Sequence, residues 1–177
     1  MSRRCVVLIG MMGAGKTEVG QGLAEQLGYS FLDTDDLIEQ RTGKSINDIF
    51  TELGEDEFRR VEADVIATLS GLQSTVVSVG GGATVNTGNY QVLASLGTSV
   101  YLKASAQELY QRIKNDKKRP LLRTENPRQQ VAALLREREP AYMWADITVD
   151  TEDLSVDEVV DYLIDELAKR TIETQMD

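Results

Sequence analysis

The chain has no histidine, one cysteine, three prolines and one tryptophan in its 177 residues, and each shortage removes something. Without histidine the commonest general base and the commonest transition-metal ligand are missing, so any proton acceptor has to be a carboxylate. The lone Cys5 can close no internal disulfide. It sits in an apolar run, which makes it a small buried hydrophobe and fits a reducing compartment. Basic residues are also scarce: 19 Lys and Arg against 29 Asp and Glu leave a formal net charge of −10. A phosphate backbone would be repelled overall, so no nucleic-acid partner is expected. No apolar run approaches the length of a membrane helix or signal peptide, and the first strand begins within a few residues of Met1. The expectation is a cytoplasmic protein with no membrane partner, and a monomer. Repeats and low-complexity stretches are absent.

What is present describes one domain, residues 1–177, with 41% hydrophobic and 27% charged residues, large enough to bury a core without staples. Short β-like runs alternate with longer helical ones, the pattern of a parallel sheet with helices on both faces. Strands are expected at Cys5–Ile9, Ser30–Leu32, Thr75–Val79, Thr98–Leu102 and Asp146–Val149. Helices are expected at Lys16–Leu27, Ser45–Leu53, Glu55–Leu69, Thr87–Ser95, Ala106–Lys114, Pro127–Glu137 and Val156–Lys169. The last has the clearest signal, a Ser155/Glu158 capping box and one apolar stripe through Val156, Val159, Val160, Leu163, Ile164 and Leu167, which reads as core packing. The polar tail Thr171–Asp177 is expected to fray.

Five apolar residues ending at Ile9 run straight into GMMGAGKT, which fills the P-loop pattern G-x-x-x-x-G-K-[ST] with Gly10, Gly15, Lys16 and Thr17. Glycines let backbone N–H groups converge on phosphate oxygens, and the helix that follows adds the positive end of its dipole. Lys16 supplies a point charge for the β- and γ-phosphates, and Thr17 a hydroxyl for Mg²⁺. A strand before and a helix after meet the context the motif requires. The chain therefore binds a nucleoside triphosphate, and an acidic protein that does so must gather its cations in one cleft.

Further clusters are open to two readings. Asp33-Thr34-Asp35-Asp36 follows the second strand, where carboxyl ends line a ligand crevice. Its acids can serve a Mg²⁺ shell and accept a proton, or Asp35 or Asp36 can cap a helix. Gly80-Gly81-Gly82 after the third strand allows either a close backbone approach to a ligand or a tight turn. Arg59 with Arg60, and Arg136 with Arg138, can fork a carboxylate or form ordinary helix ion pairs, with solvated salt bridges the default for the second pair. Asn115–Arg128, charged and with two prolines, is a solvated loop or, over a P-loop, a lid.

Together GMMGAGKT, FLDTDDLIEQRTGKSINDIFTELGEDEFRRVE, VGGG, KRPLL and REREPAY resemble the shikimate kinases, members of the nucleoside-monophosphate-kinase structural family. The resemblance runs from Cys5 to about the end of the last helix. It implies an α/β three-layer sandwich around a five-stranded parallel sheet in the order 2-3-1-4-5. A substrate-binding helical region (about 34–62) and a small lid (about 114–126) complete the P-loop kinase fold. It implies transfer of the γ-phosphoryl group of ATP to the 3-hydroxyl of shikimate, with Mg²⁺. By position, Gly13, Ala14, Gly15, Lys16, Thr17, Glu18, Arg112 and Arg119 match ATP contacts, Arg119 reaching the phosphates from the lid and Arg112 lying near the adenine. Thr17 and Asp33 match the metal site. Asp35, Arg59, Gly80, Gly81, Gly82 and Arg138 match shikimate contacts, with Phe50, Phe58 and Glu62 around the same pocket. Asp35, Lys16 and Arg119 carry the catalytic roles in this reading. Ala141 stands where the family's R-x-P-L-Y stretch has leucine. Adenine contacts beyond Thr151 have no motif to mark them. Two other readings share the P-loop: a gluconate-type or nucleotide-directed kinase, and a non-catalytic nucleotide-binding module.

Overall fold

The β-branched runs form five strands: β1 (Cys5–Ile9), β2 (Ser30–Asp33), β3 (Thr75–Ser78), β4 (Gly97–Lys103) and β5 (Ile147–Asp150). All neighbours pair in parallel, in the order β2-β3-β1-β4-β5. The computed structural model describes residues 5–115 and 124–176. Around the sheet lie α1 (Lys16–Leu27), α2 (Thr34–Thr42), α3 (Ile46–Glu52), α4 (Gly54–Ala67), α5 (Thr87–Leu96), α6 (Ala106–Ile113), α7 (Pro127–Arg138) and α8 (Val156–Met176). The expected three-layer α/β sandwich and its strand order are those observed.

The alternation of side chains along β1 shows why every strand residue is apolar. Val6 and Leu8 face one core with Val19 and Leu23 of α1, Leu109 of α6 and Val159 and Leu163 of α8. Cys5, Val7 and Ile9 face the other, with Ile66 of α4 and Leu93 and Leu96 of α5. A strand covered on both faces has no solvent side on which to place a polar residue. Cys5 is buried, and burial raises its thiol above the ordinary range, as expected of an inert packing residue. The capping box of α8 forms as expected: Glu158 N–H donates to Ser155 Oγ at 3.3 Å and Ser155 N–H to Glu158 Oε2 at 2.8 Å.

Three features differ from expectation. No helix is expected from the apolar pattern over Thr34–Thr42, where α2 lies. Its first turn is acidic, and only Thr34 and Ile38 are buried, too few apolar positions to make a stripe. The residue that caps it is Asp33, which accepts from Asp35 N–H at 2.9 Å, and neither Asp35 nor Asp36 is the cap. At the other end of the chain, α8 does not fray at Thr171 but continues to Met176. No glycine or proline interrupts that stretch.

Candidate active site

β1 ends at Ile9, and the loop from Gly10 to α1 folds through left-handed backbone that side chains resist. Gly13 has φ +79°, and a Cβ there would stand 2.6 Å from Ile113 Cγ2 and 3.2 Å from the Leu109 carbonyl. Helix α1 starts immediately at Lys16, and no side chain caps its N-cap, Gly15, which leaves the first-turn N–H groups to an anion in the loop. The Lys16 ammonium donates to the carbonyls of Gly10 and Met11, both at 2.9 Å, across the mouth of this loop. Thr17 Oγ1 donates to Asp33 Oδ2 at 3.2 Å. A hydroxyl from the start of α1 and a carboxylate from the end of β2 therefore share one point beside the phosphate loop. Two such oxygens, completed by phosphates and water, are what Mg²⁺ takes in nucleotide enzymes. Among the described residues no denser metal-ligand cluster occurs.

A cleft of about 760 Å³ opens from this loop. Gly13 to Glu18, Asp33, Asp35, Gly80 and Gly81 line it, together with Arg112, Thr151, Asp153, Leu154 and Val156. Arg112 is fixed there by bonds to the Thr151 hydroxyl (3.1 Å), the Thr151 carbonyl (2.9 Å) and Glu108 (2.9 Å). Arg112, expected near the adenine, thus lines the cleft. Residues 151–156 bring no sequence motif, and the backbone at Asp153 has a positive φ of 59°.

The second half of the site gathers around the glycine turn. β2 and β3 are neighbours with Asp33 opposite Ser78, so Asp35 at the start of α2 comes beside Gly80. Seen from the missing side chain of Gly80, Asp35 Oδ1 lies at 2.9 Å and Glu62 Oε1 at 3.0 Å. A side chain at Gly82 would collide with the Arg59 guanidinium, and one at Gly81 would stand 3.3 Å from the Gly10 carbonyl. The turn thus joins the acid and arginine side to the phosphate loop. Thr34, fully buried, accepts from Gly80 N–H at 3.0 Å. Neither Thr34 nor Ser78, which also lines the cleft, stands out in the sequence, since isolated hydroxyls carry no pattern.

The ambiguous arginines separate cleanly. Arg60 lies on the exposed face with Glu57 and Asp64. Arg59 turns inward, 2.8 Å from Glu62 and 3.3 Å from Glu55, with its guanidinium 5.2 Å from the Phe58 ring centre. Arg136 is exposed, whereas Arg138 is buried, which overturns the default of solvated salt bridges for that residue. Burial disfavours charge on Arg59, but Glu62 and then Glu55 outweigh it, and its pKa is raised. Glu62 is 1% exposed. Burial pushes its carboxyl up and Asp35 adds to this, against the pull of Arg59 and Arg138. Glu62 Oε1 has no hydrogen-bond partner among the described residues, and such an orphan beside a cleft is an acceptor in reserve. Phe58 is buried in a small core with Ile38, Ile49, Val61 and Val65, and Phe50 packs on it at 4.5 Å between ring centres. The two rings buttress the helix that carries Arg59. Arg119 and most of the expected lid lie outside the described residues.

Comparison with known proteins gives a consistent result. The family model described as shikimate kinase matches residues 12–168. A shikimate kinase of Geobacter sulfurreducens is 46% identical over 157 residues, 89% of this chain and 87% of that protein. One of Methylococcus capsulatus is 48% identical over 151 residues, 85% of this chain and 84% of that protein. Among solved structures, the shikimate kinase of Acinetobacter baumannii in complex with shikimate superposes with a TM-score of 0.91 at 38% identity. It covers 95% of this chain and 94% of that one.

Proposed function

The chain belongs to the shikimate kinase family, and on that footing we propose how its cleft performs the reaction. It is an ATP-dependent kinase acting on shikimate; the finer reading is transfer of the γ-phosphoryl group to the 3-hydroxyl, leaving ADP. The observation that carries this reading is the turn Gly80–Gly82, which has Asp35, Glu62 and Arg59 on one side and the phosphate loop on the other. An acceptor seated against the turn has its hydroxyl within reach of both the base and the phosphate.

In this reading Lys16, the first-turn amides of α1 and Arg119 neutralise the triphosphate. Thr17 and Asp33 would hold Mg²⁺, which when bound offsets charge between the β- and γ-phosphates. Arg112, pinned along one edge, offers its planar face to the adenine. Arg59 and Arg138 receive the shikimate carboxylate through charge-assisted bonds. Asp35 orients the acceptor hydroxyl and takes its proton as the oxygen bonds to phosphorus and the β–γ bridge breaks. The transition state is loose, so most acceleration comes from placement and charge. The whole chain acts as one domain, with residues 34–62 as the acceptor side and about 114–126 as lid, and works as a monomer in the cytoplasm.

Turnover of the purified chain with ATP and Mg²⁺ should be compared across shikimate, gluconate, nucleoside monophosphates and no acceptor. ADP release dependent on shikimate alone is the expected result. Equal rates with gluconate or a nucleotide would refute the acceptor assignment.

A further inference from the structure

The turn Gly80–Gly82 is held from two sides. Gly80 N–H donates to Thr34 Oγ1 at 3.0 Å, and the Gly80 carbonyl accepts from Ala83 N–H at 3.0 Å. On the other side the Tyr142 hydroxyl donates to the Gly81 carbonyl and lies 3.7 Å from Met11 Sδ. Tyr142 is fully buried, its ring 5.1 Å from that of Tyr101 on β4. A phenylalanine would fill the same space without carrying a hydroxyl into the core, so the oxygen calls for a reason of its own. The partners found for it all belong to the site: Gly81 of the turn, Met11 of the phosphate loop, and Arg138 one helical turn earlier. Burial pushes the phenol up to about 12 while Arg138 and Arg59 pull the other way, and a phenol so placed stays protonated at neutral pH and remains a donor.

We infer that Tyr142 is a positioning residue for the acceptor: its hydroxyl fixes the Gly81–Gly82 peptide, and with it Arg138, against the phosphate loop. Because the peptide is planar, fixing its carbonyl also sets where the Gly82 N–H points. The acceptor-side backbone is then referred to the same frame that holds ATP. This inference rests on the shikimate reading of the cleft.

Steady-state kinetics of the full chain and of Tyr142→Phe, varying shikimate and ATP separately, test it. A hydrogen bond of ordinary net strength predicts a rise of roughly 3–10-fold in the KM for shikimate. The KM for ATP should stay within about twofold of the parent. Tyr101→Phe is the control. It removes a hydroxyl from the neighbouring ring, one that donates to Glu139 at 3.3 Å and not to the turn, and should leave both constants unchanged. An unchanged KM for shikimate in Tyr142→Phe overturns the inference. So do equal rises for both substrates, an equal effect of Tyr101→Phe, or a Tyr142→Phe chain that does not fold, since each assigns the oxygen to the fold. If the parent itself shows no shikimate-dependent turnover, the reading of the cleft fails instead.

Discussion

At the scale of single residues, the site divides its two central carboxylates by environment. Asp35 is half-buried at the start of α2 and reaches the cleft, whereas Glu62 is closed in beside Arg59. Asp35→Asn keeps the shape and removes the proposed proton acceptor. It should lower turnover by about 10²–10⁴-fold while nucleotide still binds, and a rate within roughly tenfold of the parent would leave Asp35 only an orienting role. Glu62 predicts a pH effect on stability. Its carboxyl is raised above the usual 4.5, burial being the main cause. The folded chain then holds a proton that the unfolded chain has released, so this group's contribution is full below about 4.5 and is lost as pH rises through the folded pKa. Glutamine does not titrate. The melting temperature of Glu62→Gln, relative to the parent, should climb from acid towards neutrality. Parallel melting curves across that window would count against the shift.

At the scale of elements, strands were more legible than the helices between them. Val, Ile and Leu runs such as Cys5–Ile9 show a strand covered on both faces, and the expected bounds of all five lie within a residue or two of those observed. Helix α2 was hidden because its stability comes from a cap and from contact with α4, neither visible in apolar spacing. The burial of Arg138 was hidden for a related reason: Glu62 and Tyr142, the groups it affects, are brought there by α4 and by the turn that follows α7. Phosphate-loop residues were legible because backbone chemistry restricts their identity, while Thr151 and Asp153–Val156, which also line the cleft, follow no recognisable spacing. Helix α1 offers a test of how closely these layers fit. A Cβ on Gly20 would stand 2.5 Å from Phe31 Cε2 and 3.2 Å from Leu8 Cδ1. Overpacking costs about 1–3 kcal/mol, against about 1 kcal/mol gained in helix propensity. Gly20→Ala should therefore be destabilised by up to about 2 kcal/mol in urea melts, and a stabilised variant would show that α1 has room to move off the sheet.

At the scale of the whole molecule, the charge distribution resolves an apparent conflict. In the proposed reading a chain of net charge −10 receives two anions through Lys16 and Arg112, which line the cleft, Arg59 beside the glycine turn, and the buried Arg138. Local cations within a Debye length of about 10 Å outweigh a diffuse acidic surface. If all 177 residues form one cooperative unit, calorimetry should show a single transition. A nucleotide at about 100 times its Kd adds about 2.7 kcal/mol. For a chain of this size that is a rise of roughly 5–10 °C in Tm. Two transitions, of which nucleotide moves only one, would divide the acceptor side from the phosphate loop.

The two carboxylate oxygens of Asp33 serve different partners, since Oδ1 caps α2 through Asp35 N–H and Oδ2 meets the Thr17 hydroxyl. The position is pleiotropic, so damage there confounds two phenotypes. Asparagine keeps an oxygen for the cap but loses the charge; alanine loses both. Asp33→Asn should raise the Mg²⁺ concentration needed for half-maximal rate while the fold keeps its stability. Asp33→Ala should add a loss of about 0.5–2 kcal/mol in chemical denaturation. Equal stability of the two variants would mean that α2 stands without its cap, and that Asp35 owes its place to the neighbouring helices alone.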